Sequence, residues 1–197
     1  MPTLIKYGKT NTYLVRGTKG NLLVDTDYAG TLHAFHKAIK TAGIKVSEIS
    51  CVLATHYHPD HIGLVSCLMN RGVRLVLMES QAGYVHYSDK IYAKNPALDF
   101  RPIDEKRAKT ISFEQSRDFL AGLGIAGEII PTQSHSMDSI SVVLDDGCCI
   151  VGDLEPLDYL DAYPFDDPLQ EDWAAILSRR PARICYGHAN ERILGGS

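Results

Sequence analysis

Four side chains able to ligate a metal fall within six positions of one short stretch, His56-Tyr57-His58-Pro59-Asp60-His61. No other feature of the chain restricts its fold so strongly. The stretch follows ISCVLAT, an apolar run of strand length, so the donors stand just past the end of a buried strand. Four donors in one place need partners from elsewhere in the chain, and such partners are best held at the ends of other rigid elements. In an extended segment alternate side chains point the same way, which lets His56 and His58 reach one ion. Pro59 restricts the backbone, and Asp60 and His61 come at the turn beyond it, facing a second point nearby. The spacing therefore suits two adjacent ions better than one.

Candidates for the remaining donors sit at other strand ends. His135 follows GEIIPT, Asp153 closes CCIVGD, and His188 follows ARICYG. Upstream, TLIKY, TYLVR and NLLVD read as a meander of strands ending at Asp25. VRLVLM and SISVVLDD are further strands, and Asp145-Asp146-Gly147 marks a hairpin turn into CCIVGD. Helices are predicted over GTLHAFHKAIKTAG (Leu32, Phe35 and Ile39 on one face, Gly43 at the end), GLVSCLMNRG, SFEQSRDFLAGLG with Ser112 as N-cap, and LQEDWAAILSRRP. Residues 79–112 show poor periodicity and read as an insertion or flap. Strands and helices fall into two similar halves that break near residue 112, within one domain over residues 1–197.

Composition narrows the class of partner. The formal charge is −4 and no lysine/arginine block occurs, which argues against a dedicated nucleic-acid binder. No apolar run approaches the roughly 18–20 residues that span a membrane. The start, MPTLIKYGKTNTYLV, lacks the layout of a signal peptide. The five cysteines form no C-x-x-C pair and read as reduced thiols of a cytoplasmic protein. The terminal Gly195-Gly196-Ser197 reads as a natural end or an expression remnant.

Taken together, these residues resemble the metallo-β-lactamase superfamily. HYHPDH matches its core motif His-x-His-x-Asp-His in full. Asp25 in LLVDT, His135 in PTQSHSMDSISVVL, Asp153 after Gly152 and His188 in YGHAN match its other motifs in order, over roughly residues 12–190. The resemblance implies an α+β fold, an αββα four-layer sandwich with the site along one edge of its two sheets. It implies two divalent metal ions, zinc first, with iron or manganese as alternatives. His56, His58 and His135 would hold the first ion, Asp60, His61 and His188 the second, with Asp153 bridging. Asp25 would stand behind the ligands, fixing a histidine by hydrogen bond. The chain departs from the family's usual T-P-G-H-T around the third histidine, where it has T-Q-S-H-S. His58 replaces the glutamate of the flavodiiron branch and argues against that branch.

Two such ions hold a hydroxide at neutral pH, and Asp60 would orient it as a catalytic residue. The expected activity is hydrolysis of a small-molecule ester, thioester, lactone or amide. The alternatives are a metal-dependent phosphodiesterase, a di-iron redox protein and a non-catalytic metal-binding protein. Tyr84, Tyr87 and Tyr92 either pack the flap or wall the substrate, and Tyr159 and Tyr163, in an acidic stretch, are candidates beside Asp153. His33, His36 and His86 are expected at the surface, and the sequence leaves the oligomeric state open.

Overall fold

The computed structural model describes residues 1–195 of the domain expected over 1–197; Gly196 and Ser197 lie outside the described residues. The first sheet has the order β1 (Thr3–Lys6), β2 (Asn11–Arg16), β3 (Asn21–Val24), β4 (Ile49–Leu53), β5 (Arg74–Met78), β6 (Lys109–Ile111). β1 to β3 form the antiparallel meander, and β3 to β6 run parallel. Parallel neighbours need crossovers. α1 (Leu32–Thr41) links β3 to β4, and α2 (Pro59–Ile62) and α3 (Val65–Met69) link β4 to β5. The second sheet has the order β11 (Arg192–Ile193), β10 (Arg183–Tyr186), β9 (Cys148–Gly152), β8 (Ile140–Leu144), β7 (Gly127–Pro131). β7 to β9 are antiparallel, whereas β10 runs parallel to β9 after α6 (Pro168–Leu177).

The period-two alternation of strand side chains builds the layers. Leu22, Val24, Cys51, Leu53, Val76 and Met78 face inward onto Ile140, Val142, Cys148, Ile150 and Cys185 of the second sheet. The alternate residues Leu23, Val52, Leu75 and Leu77 pack outward on Phe35 and Ile39 of α1 and on Val65 and Leu68 of α3. Cys149, Val151, Ile184 and Tyr186 face Leu169, Trp173 and Ile176 of α6. The result is helix, sheet, sheet, helix: the α+β four-layer sandwich expected. Strands covered on both faces read as continuous apolar runs, which is why they were conspicuous in the sequence. Pro168 at the first position of α6 and the Asp167 side chain, accepting from Leu169 N at 2.9 Å, set its start.

Residues 79–112 depart from a simple flap. They hold 3-10 turns at Glu79–Tyr84, Pro96–Leu98 and Glu105–Arg107, the short helix α4 (Asp89–Tyr92), and β6. β6 is an edge strand of three residues with one buried side chain, Ile111, too short to show a period. The two halves meet at α5 (Phe113–Gly122), which starts at Ser112, whose amide donates to Gln115 Oε1 at 3.1 Å. Four cysteines are buried and Cys67 is half-exposed. Among the described residues no helix is long and apolar enough to cross a membrane.

Candidate metal centre

The site lies past the C-terminal ends of β3, β4, β7, β9 and β10, which deliver Asp25, the His56–His61 arch, His135, Asp153 and His188 respectively. The arch is not extended, as the alternation argument assumed. The backbone bends at Thr55, His56 and His58 and enters α2 with Pro59 in its first turn. Side-chain partners cause the bend by taking the backbone groups that a strand would need. Asp25 Oδ1 accepts from Thr55 N at 2.6 Å, and Asp138 Oδ2 accepts from Tyr57 N at 2.7 Å. Ser88 Oγ donates to the Tyr57 carbonyl at 2.7 Å. The bend, rather than the pleat, brings His56 Nε2 within 3.0 Å of His58 Nδ1.

All seven expected donors converge, in two groups. His56, His58 and His135 offer atoms within 4.8 Å of one another, with His135 Nε2 3.2 Å from His58 Nδ1. Asp60, His61, Asp153 and His188 form the second group, also within 4.8 Å. In it, His188 Nε2 lies 3.0 Å from Asp60 Oδ2 and 3.3 Å from Asp153 Oδ2, and His61 Nε2 lies 3.3 Å from Asp153 Oδ1. Asp153 also faces the first group: its Oδ2 is 3.9 Å from His56 Nε2 and 4.0 Å from His135 Nε2. Asp25 is buried, with Oδ2 3.0 Å from His61 Nδ1, on the far side of that ring from Asp153.

The donor chemistry fits divalent metal ions. His61 Nδ1 faces Asp25 Oδ2 at 3.0 Å without an aligned hydrogen bond, and His61 Nε2 and Asp153 Oδ1, likewise buried, make none among the described residues. Leaving such atoms unsatisfied costs about 1–3 kcal/mol each, and a cation between Nε2 and Oδ1 satisfies both. Burial holds His56 well below the ordinary histidine range, reinforced by His61 and His58, and burial also lowers His135. Both rings are thus neutral at physiological pH, with a lone pair free to ligate. Burial alone would lower His61 too, but Asp25 and Asp153 outweigh it and raise the ring to about 10. Asp153 is held below the usual carboxylate range: burial works against ionisation, and the neighbouring His61, with His188 and His135, overcomes it.

Sequence reading quoted the glycines before Asp153 and His188 but gave them no part in this convergence. Gly152 has φ +58°, and a Cβ there would overlap Thr55 Oγ1; a Cβ on Gly187 would overlap Asp153 Oδ1. Gly187 N donates to Gly152 O at 2.6 Å, which ties the loops of Asp153 and His188 together. The signal was a glycine directly before each donor. Thr55, Asp138 and Gln81, all buried and polar beside the arch, carried no local signal. At the departure from T-P-G-H-T, Asp172 of α6 accepts from Ser134 N at 2.8 Å and supports the loop in place of the Pro-Gly turn.

The surrounding aromatics divide. Tyr92 is buried, stacks on Phe100 at 4.0 Å, and donates its hydroxyl to the Pro59 carbonyl, and Tyr84 packs half-buried on the outer core. Tyr87 is 58% exposed, with its ring 5.6 Å from that of His58. Tyr163 lines a cleft of about 280 Å³ with His135, Asp153, Glu155 and Asp167, whereas Tyr159 is exposed outside it. Lys9, Tyr28 and Thr31 line a second cleft at Asp60. His33, His36 and His86 stand apart from both donor groups, and His86 pairs with Asp89 at 2.8 Å.

Four layers with histidine and aspartate donors gathered at strand ends define a metal-centre protein of the αββα class. The sequence profile of the Metallo-beta-lactamase superfamily matches residues 5–188, and the chain belongs to that superfamily. Among curated relatives, a Drosophila melanogaster protein named beta-lactamase-like protein 2 homolog is 24% identical over 194 residues, covering 96% of this chain and 61% of the relative. The atrochrysone carboxyl ACP thioesterase of Aspergillus fumigatus is 29% identical over 137 residues, covering 70% of this chain and 27% of the relative. The chain thus spans less than two thirds of the length of either. Among solved structures, a metallo-beta-lactamase family protein of Thermus thermophilus superposes with a TM-score of 0.65 at 20% identity, covering 98% of this chain and 73% of the other. BJP-1, a subclass B3 metallo-beta-lactamase of Bradyrhizobium japonicum, superposes with a TM-score of 0.63 at 19% identity, covering 95% and 74%. These likenesses establish the fold.

Proposed function

We propose that the protein is a two-metal hydrolase acting on a small-molecule ester, thioester, lactone or amide. The observation that carries the reading is Asp153, whose two oxygens stand between a three-histidine group and an Asp60–His61–His188 group. Histidine nitrogen and carboxylate oxygen in this mixture suit zinc, with iron or manganese as alternatives. His56, His58 and His135 would hold one ion, Asp60, His61 and His188 the other, and Asp153 both. Such ions, when bound, lower the pKa of water to near 7 and polarise a carbonyl oxygen.

The chain's own residues then do the positioning. Asp60, a third exposed beside His188, accepts a hydrogen bond from the attacking water and aims it. Asp25 fixes His61 through Nδ1, which keeps Nε2 turned toward Asp153. The exposed Tyr87 ring beside His58 gives the acyl group an apolar wall. A thioesterase among the relatives supports acyl transfer to water as the reaction. The test is turnover of ester, thioester and lactone panels by metal-loaded protein, with and without chelator. Full activity in rigorously metal-free protein refutes the reading, and exclusive cleavage of bis-p-nitrophenyl phosphate replaces it with phosphodiester hydrolysis.

A further inference from the structure

We infer that Asp138 is a positioning residue that sets the spacing of the three-histidine group and so controls the affinity of one metal ion selectively. The inference rests on the two-metal reading above. His58 and His135 lie 77 positions apart in sequence, yet their ring nitrogens meet at 3.2 Å. No sheet register joins the two segments directly at that point. A backbone bond from Ile140 N to Thr55 O at 2.9 Å joins them at the base, and one side chain joins them beside the rings. Asp138, buried and three residues past His135, sends Oδ2 across to accept from Tyr57 N at 2.7 Å, the amide between His56 and His58. Its Oδ1 accepts from Ser136 Oγ at 2.8 Å, immediately beside His135. A single carboxylate therefore spans both loops of this group.

Gln81 locks the span from below. It is fully buried, and its Nε2 lies 3.1 Å from Asp138 O, 3.0 Å from Ala54 O and 3.3 Å from Thr55 O. Ser88 Oγ holds the Tyr57 carbonyl, so both sides of that peptide are fixed. The second group is braced by different residues. Thr10 Oγ1 donates to Asp60 O at 2.8 Å, Asn11 Nδ2 donates to Ala189 O at 2.9 Å beside His188, and Asp25 holds His61. Losing Asp138 should thus disturb one ion and spare the other.

The experiment titrates metal-free wild-type protein, Asp138→Ala and Asp138→Asn with Co²⁺, followed by visible absorption and calorimetry. Loss of a hydrogen-bonding group behind metal ligands lowers affinity about 10–100-fold. For Asp138→Ala that loss is expected at one of two binding events, with the other within about 3-fold of wild type. Asp138→Asn keeps an oxygen for Tyr57 N and is expected to recover part of the lost affinity. If Asp138→Ala does not fold, Ser136→Ala, which removes the Oδ1 bond and the Ser136–Ser139 hydroxyl bond at 2.7 Å but leaves the bond to Tyr57 N, should weaken the same single event by a smaller factor. Unchanged affinities, or equal weakening of both events, overturn the inference. A wild type that binds no Co²⁺ overturns the two-metal reading itself and this inference with it.

Discussion

Replacing Asp25 with Asn tests how the second donor group is tuned. Asp25 sits at φ +61°, a backbone conformation that asparagine tolerates, so the change adds little strain. The amide oxygen can still accept from Thr55 N, now bonded at 2.6 Å. Its NH₂ then faces His61 Nδ1, where a carboxylate oxygen stood at 3.0 Å. A donor at that point forces the proton of neutral His61 onto Nε2, the nitrogen that faces Asp153 and would ligate. The charge that raises His61 to about 10 is lost as well. In metal-free wild type, the His61–Asp25 attraction stabilises the fold fully below the ordinary histidine value of about 6.5. That stabilisation fades as the pH climbs through about 10, and the window should vanish in the variant. Metal affinity at one site should fall about 10–100-fold, or roughly 1.4–2.7 kcal/mol. Histidine NMR of metal-free protein from pH 5 to 10 and Zn²⁺ calorimetry measure both effects. A wild-type His61 resonance that titrates near 6.5, or a variant binding both ions as tightly as wild type, would show that Asp25 does not tune this ring.

Gly187→Ala drives a Cβ into Asp153 Oδ1 and should cut both metal content and activity at least tenfold, with metal analysis and kcat as readouts. Trp173→Ala empties a fully buried site against the second sheet and strands the Glu155 carbonyl that Trp173 Nε1 bonds at 3.0 Å. It should cost about 3–5 kcal/mol in urea unfolding, whereas Tyr159→Ala, 57% exposed, should stay within about 0.5 kcal/mol. Tyr87→Ala, beside His58, should raise KM for apolar acyl esters several-fold while metal stoichiometry holds; an unchanged KM would mean that the ring does not contact substrate.

Much of the fold was legible because strands covered on both faces advertise themselves. Leu22, Leu23 and Val24 are all buried, yet alternate between two cores, and the sequence shows them as one apolar run. β6 escaped notice because a three-residue edge strand has no period to read. The role of residues 79–112 escaped for another reason. Ser88 and Tyr92 act through hydrogen bonds to the Tyr57 and Pro59 carbonyls, and backbone acceptors leave no trace in residue identity. The same holds for Asp138, which looks like any loop aspartate until its partner amide, 81 positions upstream, is seen.

The sequence alone determined which residues could ligate and in what order they come, because donor chemistry belongs to side-chain type and His56, His58, Asp60 and His61 are neighbours on the chain. It also determined the layers, since backbone stereochemistry makes strand side chains alternate wherever a strand forms. Family resemblance implied that His135 joins His56 and His58 with Asp153 between the groups, but only the tertiary structure shows what brings them together. That sorting depends on the bend at Thr55–His58 and on contacts between loops far apart in sequence. Local patterns fix the direction of a side chain relative to its own backbone; the distance between two such backbones is set by the sheets and hydrogen bonds that pack them.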